Sequence, residues 1–334
     1  MSSTLPTAVM PNPADTLTLA DLENWNRRDE AGNFLPSLAV LGHPVAHSVS
    51  PPMHNAALKE LAKQHPALKD WEYFKFEVKP RELERALASF SKNKFLGLNL
   101  TVPHKIVALD FVAQASPEAR AAGAVNTLVA KKDGAWEGFV TDPYGLGAAL
   151  TKELAVNLPG KVAVVLGAGG AARSAVVHCL EARAAVVWVG NRTKNNLADL
   201  LEQLRPFDKG NRVRGFDAAS PPAQAWPKDV VVINATTVGM KRHDPLPFDV
   251  TLVGKNACVY DMVYNREGPT KFVAAARARG LRAADGLGML VWQGAKSLSI
   301  WIKAQEGIEI KPEDVAPTMM EAACAALGLP NRHA

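Results

Sequence analysis

The stretch KVAVVLGAGGAARSAVVHCLEARAAVVWVGNRT, residues 161–193, decides the fold class. VAVVL is an apolar run of strand length, and the small residues Gly167-Ala168-Gly169-Gly170-Ala171-Ala172 follow it directly. SAVVHCLEAR then has the length of a helix, and AVVWV is a second apolar run. Strand, glycine turn, helix and strand make one βαβ unit, the crossover that parallel strands require. The small residues permit a tight turn and let the backbone approach a pyrophosphate. The helix N-terminus would offer that anion free N–H groups and the positive end of a dipole. An ordinary strand-to-helix turn is the competing reading, and the completeness of the unit weighs against it.

The end of the second strand bears on the cofactor. A dinucleotide site selective for NAD places an Asp or Glu there for the ribose hydroxyls. This chain has Asn191, Arg192, Thr193 and Lys194, with no acid before Asp199. A cation beside a hydroxyl suits a 2′-phosphate, so NADP(H) is the expected cofactor.

Working outward, DVVVINAT (229–236), ACVYD (257–261) and LRAAD (281–285) read as further buried strands, and GLGMLVWQGAKSLSIWI (286–302) as an apolar helix. On the other side, LAVLG (38–42), YFKFEV (73–78) and FLGLNLT (95–101) read as strands. Between them SPPMHNAALKELAKQ (50–64), with Ser50 as N-cap and Pro51 at the first helical position, and RELERALASF (81–90) read as helices. Asp133-Gly134 between TLVAKK and AWEGFV predicts a tight hairpin. The alternation predicts an α/β protein of two domains with largely parallel sheets. Residues 36–150 rejoined by 286–330 form one domain, and 151–285 form a doubly wound, Rossmann-type domain. Residues 1–35 read as an extension: a flexible lead-in, then a short amphipathic turn carrying Leu17, Leu19, Leu22 and Trp25.

The chain has 334 residues, 48% of them apolar and 21% charged, which fits a globular protein and excludes a disordered or fibrous one. No apolar run nears the ~18 residues of a membrane span. MSSTLPTAVM at the start lacks the basic and apolar regions of a signal peptide. Cys179, Cys258 and Cys324 lie far apart, which argues against a disulfide framework or thiolate metal site and makes a reduced, cytoplasmic setting the default. The net charge of +5 comes from 38 basic and 33 acidic residues without a dense Lys/Arg run, so a small anionic ligand fits better than a nucleic acid.

Two charges stand near strand ends, Lys105 in NLTVPHK and Asp142 in VTDPYG. Hydride exchange at a carbinol needs a group to trade the hydroxyl proton, and a Lys–carboxylate pair can supply it. Taken singly, each reads equally as a surface charge. His43, His47 and His54 cluster without a carboxylate or Cys at ligand spacing, so no metal is expected.

GHPVAHSVSPPMHN (42–55), NLTVPHK (99–105), AGAVNT (122–127), GAGGAARSA (167–175), NRTK (191–194), NATTVGM (234–240), YDMVY (260–264) and DGLGMLVWQGA (285–295) occur in one order. In this the chain resembles the shikimate dehydrogenase family, over roughly residues 36–325. The resemblance implies reversible NADPH-dependent reduction of 3-dehydroshikimate to shikimate. It puts catalysis on Lys105 and Asp142, and substrate contacts on Ser48, Ser50, Asn99, Thr101, Asn126, Tyr264 and Gln293 besides. Cofactor contacts fall on Gly167, Ala168, Gly169, Gly170 and Ala171, on Asn191, Arg192 and Thr193, and on Met262 and Gly286. Val140 and Pro143 depart from the family's NTDGxG pattern, which bears on shikimate against quinate preference, and Thr237 replaces the commoner Ser. A quinate/shikimate enzyme using NAD and a non-catalytic ligand sensor are the alternatives. Monomer and homodimer both remain open.

Overall fold

The computed structural model describes residues 11–222 and 226–332. The expected lead-in MSSTLPTAVM lies outside them.

The first sheet is built from β1 (Thr16–Thr18), β2 (Ser37–Gly42), β3 (Glu72–Glu77), β4 (Gly97–Leu100), β5 (Gln114–Ala115), β6 (Thr127–Ala130) and β7 (Trp136–Phe139). Their spatial order is β1-β3-β2-β4-β6-β7-β5. Pairing is parallel from β1 to β4 and antiparallel around β6, where the Asp133-Gly134 hairpin turns with Gly134 at φ +87°. The expectation of a largely parallel sheet therefore holds for one half of it. Helices α1 (Leu19–Glu23), α2 (Ser50–Leu61), α3 (Leu83–Lys92), α4 (His104–Val107), α5 (Pro117–Ala122) and α6 (Asp142–Leu154) accompany these strands.

The second sheet, β8 (Val162–Leu166), β9 (Val186–Asn191), β10 (Val213–Asp217), β11 (Val231–Asn234), β12 (Cys258–Asp261) and β13 (Arg282–Ala284), is parallel throughout, in the order β10-β9-β8-β11-β12-β13. That order reverses between β8 and β11. Such a switch point opens a crevice at the carboxyl ends of the strands, where ligands bind in doubly wound folds. Helices α7 (Gly170–Glu181), α8 (Lys194–Leu204) and α9 (Lys271–Ala278) belong here, and α10 (Leu287–Glu306) and α11 (Pro312–Leu327) follow.

Period-two burial explains the layering. Leu38 and Val40 of β2 face one apolar core, while Ala39 and Leu41 face another. Ala163 and Val165 of β8 enter the same core as Leu38, and Val164 and Leu166 enter a third. The shared core, filled by Leu146, Val176, Leu298 and Met319 from four helices, joins the two sheets.

Residues 16–35 are not an appendage. Thr16–Thr18 pairs with β3, and Thr18 caps α1 with Asp21 in a reciprocal hydrogen-bonded box. Trp25 packs edge-on against Phe74 with centroids 5.0 Å apart, and Arg27 ties this segment to Glu72, Pro36 and Asp70. A three-residue strand carries too little alternation to be read from sequence. Ser50 also differs from expectation: it is the first helical residue and makes no cap bond, and the Ser48 hydroxyl accepts from the Ser50 N–H instead.

Candidate active site

Lys105 stands on α4, just past the end of β4, and Asp142 opens α6. Lys105 Nζ lies 2.6 Å from Asp142 Oδ2, with both side chains largely buried. Asn126, at the entrance of β6, donates from Nδ2 to the other Asp142 oxygen at 2.8 Å, to Thr141 Oγ1 and to Gln293 Oε1. Its Oδ1 accepts from the Thr141 backbone N–H at 2.8 Å. The carboxylate is thus fixed by Lys105 from α4 and by Asn126 just before β6, and Gln293 from α10 braces Asn126 and Thr141.

Behind this lies a polar core that periodicity could not reveal. Asn99 on β4 donates to Asn126 O, Thr127 Oγ1 and Ser297 Oγ, and its Oδ1 accepts from the buried Tyr73 hydroxyl at 2.8 Å. Both ends of the Asn99 amide are thus occupied by protein. The hydroxyls of Thr127, Thr141 and Ser297 lie 2.8–3.3 Å from one another. Tyr73 and Ser297 carried no role in the sequence reading, because each is an ordinary member of a strand or helix pattern, and Thr127 entered only as the last residue of AGAVNT.

The 42–50 segment carries Ser48 and Ser50; its His47 lines the glycine-loop cleft, while Ser48 lines a separate cavity with Pro51, Asn55 and Trp71. Glu77 at the end of β3 holds the segment, accepting from the Val45 N–H at 2.9 Å and meeting His43 Nδ1 at 2.6 Å. Thr101 closes β4 against the same loop, its N–H bonded to Leu41 O and its carbonyl accepting from the His104 N–H. The histidines serve separately: His104 bonds Val78 O and His54 is buried against Tyr73.

Across the crevice, Gly167 takes φ +113° with Ala235 O packed against it, a conformation that disfavours any side chain. α7 begins at Gly170 with no side-chain cap, and a Cβ at Gly169 would point into open space. Asn234 and Asp261 pin the neighbouring loops: Asn234 donates to Asp261 Oδ1 at 2.8 Å and to Val238 O, while Asp261 accepts from Val263 N–H and Thr270. Burial raises the Asp261 carboxyl above its ordinary range, and these donors oppose it. Lys105, Gly169, Gly170, Ala171, Met262 and Tyr264 share a cleft of about 780 Å³. Burial pushes the Tyr264 phenol up, with Arg266 opposing. Gly286 packs on the Met262 carbonyl, where no side chain fits. Farther along, Asn191 Nδ2 bonds Thr193 O, and Arg192, Thr193 and Lys194 are exposed at the start of α8. Arg192 makes no ion pair among the described residues.

Residues 40–128 match the shikimate dehydrogenase substrate-binding-domain family. The shikimate dehydrogenase (NADP(+)) of Synechocystis is 37% identical over 279 residues, covering 82% of this chain and 92% of that one. The chain belongs to the shikimate dehydrogenase family. That of Citrifermentans bemidjiense is 39% identical over 271 residues, 79% of this chain and 89% of its own. Among solved structures, the shikimate 5-dehydrogenase of Thermus thermophilus in complex with NADP(H) and shikimate superposes with a TM-score of 0.72 at 35% identity, covering 87% of this chain and all of that one. Against the usual shikimate dehydrogenase pattern, Pro143 falls in the first turn of α6, where no intrahelical N–H is required. Val140 packs against two of the apolar cores. Neither departure strips Asp142 of a polar contact, since Asn126 and Lys105 supply them. No helix among the described residues is long and apolar enough to cross a membrane.

Proposed function

We infer that the chain catalyses the reversible NADPH-dependent reduction of 3-dehydroshikimate to shikimate, in the crevice between its two sheets. The 2.6 Å Lys105–Asp142 pair at the edge of the glycine-loop cleft is the observation that carries this reading. The glycine loop fits the pyrophosphate, because its backbone is open at Gly169 and its helix start is uncapped. The exposed Arg192, Thr193 and Lys194 fit the 2′-phosphate. NADPH supplies the hydride.

The chain's own residues manage the proton. Lys105 Nζ donates to the oxygen of the ketone as it becomes an alkoxide and recovers the proton in the reverse direction. Asp142 keeps the ammonium in place and is itself held by Asn126. Ser48, Ser50, Thr101 and Gln293 bind the hydroxyls and carboxylate of the substrate, and Tyr264 closes the site from the second sheet. Asn99 and Asn126 stand beside these groups, and Asn99 also holds the Asn126 carbonyl. Residues 36–150 with 286–330 act as the substrate domain, extended by the β1 segment, and 151–285 as the cofactor domain. Three buried, unpaired cysteines support a reducing, cytoplasmic setting.

Initial rates followed by the absorbance of reduced nicotinamide, for shikimate and quinate each with NADP+ and NAD+, test the reading. Shikimate with NADP+ is expected to give the highest kcat/KM. A preference for quinate or for NAD+ would overturn the assignment of substrate or cofactor.

A further inference from the structure

Tyr73 and His54 lie outside the family motifs assigned above to substrate or catalysis, or have no role within them, yet they meet the active-site network at its base. Both side chains are fully buried, and their rings stack at 4.0 Å with an interplanar angle of 8°. His54 Nδ1 lies 2.9 Å from the Ser50 carbonyl. Since a carbonyl only accepts, Nδ1 carries the proton, and the buried Nε2 has no partner. Burial pushes the imidazole pKa down to about 4, so the ring is a neutral plate at working pH.

The Tyr73 hydroxyl donates to Asn99 Oδ1 at 2.8 Å. This bond anchors the Asn99 Oδ1, and the Asn126 carbonyl, which only accepts, fixes which end of the amide faces it. In the observed orientation Nδ2 donates to the Asn126 carbonyl at 3.0 Å. A flipped amide would set oxygen against that carbonyl. The same Asn126 holds Asp142 Oδ1 by its side chain. A continuous path therefore runs from Tyr73 through Asn99 and Asn126 to Asp142 and Lys105. A second branch runs from His54 Nδ1 to the Ser50 backbone carbonyl.

We propose that Tyr73, backed by the stacked His54 ring, is a positioning residue for the reaction: its hydroxyl holds the Asn99 amide, and with it the Asn126–Asp142 contact, while the ring it stacks on holds the Ser50 turn. This rests on the reading that Lys105 and Asp142 exchange the proton and Ser50 binds the substrate. Tyr73 touches neither substrate nor cofactor. Its influence should fall on the shikimate side alone, because the nucleotide loops are pinned separately by Asn234 and Asp261.

Tyr73→Phe keeps the ring and the stack and removes only the donor. Losing one buried hydrogen bond that orients a catalytic group should lower kcat/KM for shikimate about tenfold, with the KM for NADP+ unchanged within about twofold. Asn99→Ala and the double variant complete a cycle. If Tyr73 acts through Asn99, adding Tyr73→Phe to Asn99→Ala should cost little further activity. A single variant with unaltered shikimate kinetics, losses that multiply in the double variant, or an equal rise in the NADP+ KM would each overturn the proposal. Should Tyr73→Phe fail to accumulate as folded protein, His54→Phe carries the test. It keeps a stacked ring and releases the Ser50 carbonyl, so the KM for shikimate should rise and that for NADP+ should not; an unchanged shikimate KM sinks the idea. Lys105→Ala assayed alongside separates the two levels. Near-normal kcat there would remove the underlying catalytic reading, whereas a dead Lys105→Ala beside an unaffected Tyr73→Phe would remove only the positioning role.

Discussion

The two walls of the crevice are built in opposite ways. On the substrate side, Asn99, Asn126, Thr127, Thr141, Gln293 and Ser297 are buried or nearly so and bonded to one another. On the cofactor side the loop backbones are pinned, but Arg192, Thr193 and Lys194 stand in solvent at the start of α8. The difference fits the role proposed for each wall. Orienting a small polyhydroxyl acid for proton and hydride exchange needs groups fixed to within a fraction of an ångström, which buried hydrogen bonds provide. Holding a nucleotide needs mainly open N–H groups and a cation, which a glycine turn and an exposed arginine provide without prior order.

The largest effect that would break this comparison is at its chemical centre. Lys105→Ala and Asp142→Asn should each lower kcat by ~100-fold or more, since general acid–base groups typically contribute ~10²–10⁴. NADPH binding, followed by nucleotide fluorescence, should stay near normal. If kcat survives, the fixed wall is scaffold and not machinery.

On the exposed wall, Arg192→Ala should weaken NADPH by roughly tenfold, because a charge-assisted bond contributes ~1.5–3 kcal/mol and ~1.4 kcal/mol is one decade. NADH, which has no 2′-phosphate, should bind as before. Added salt should narrow the NADPH/NADH gap more in the parent than in the variant, because an exposed ion contact is screened. Equal loss of both nucleotides would mean that Arg192 supports the loop instead.

Smaller still is the serine pair. Ser50 has no cap bond to lose, so Ser50→Ala should raise the KM for shikimate by ~3- to 10-fold, the worth of about one neutral hydrogen bond, and leave the Tm alone. Ser48→Ala should raise KM too and also lower the Tm slightly, since its hydroxyl accepts from the Ser50 N–H. A Ser50→Ala protein with reduced Tm and unchanged KM would return that residue to a structural role.

The same contrast explains what could be read before folding. The proposed cofactor wall is local in sequence: VAVVL, the glycines and the helix start stand side by side, so Gly167 to Ala171 and Arg192 could be nominated from spacing and strand periodicity. Lys105 and Asp142 were recognisable only through the family pattern, because they come from separate elements and meet only when α4 and α6 pack. The polar roles of Tyr73, Thr127 and Ser297 were invisible. Each satisfies its own strand or helix pattern, and their polarity acquires meaning only when β3, β4, β6 and α10 converge. The first strand was missed for a simpler reason: Thr16–Thr18 has one buried residue, Leu17, and one residue defines no period.

The seam between the walls gives the smallest effect and tests whether it behaves like either. Glu153, near the end of α6, has Oε1 buried without a hydrogen-bond partner. Burial, then Asp285, raise its carboxyl pKa to about 7, while Arg332 and Arg277 lower it; the buried Tyr260 phenol also faces it. Arg332 is itself committed to Asp285, at 2.8 and 2.9 Å to its two oxygens. Glu153 is therefore an incompletely satisfied acid on the seam, unlike Asp142, whose two oxygens are both engaged. Between the ordinary value of 4.5 and about 7 the unfolded chain has released this proton while the folded chain still holds it. The folded state then binds more protons, so stability must fall as pH rises through that window. Glu153→Gln removes the titration. It should flatten the pH dependence of Tm between about pH 4.5 and 7 and stabilise the protein at pH 8 by about 1 kcal/mol, a modest gain because solvent reaches part of the side chain and screens its charge. Scanning calorimetry of both proteins across that range measures it. A variant less stable at pH 8 than the parent would show that the carboxylate is satisfied after all, and that the seam is built like the substrate wall.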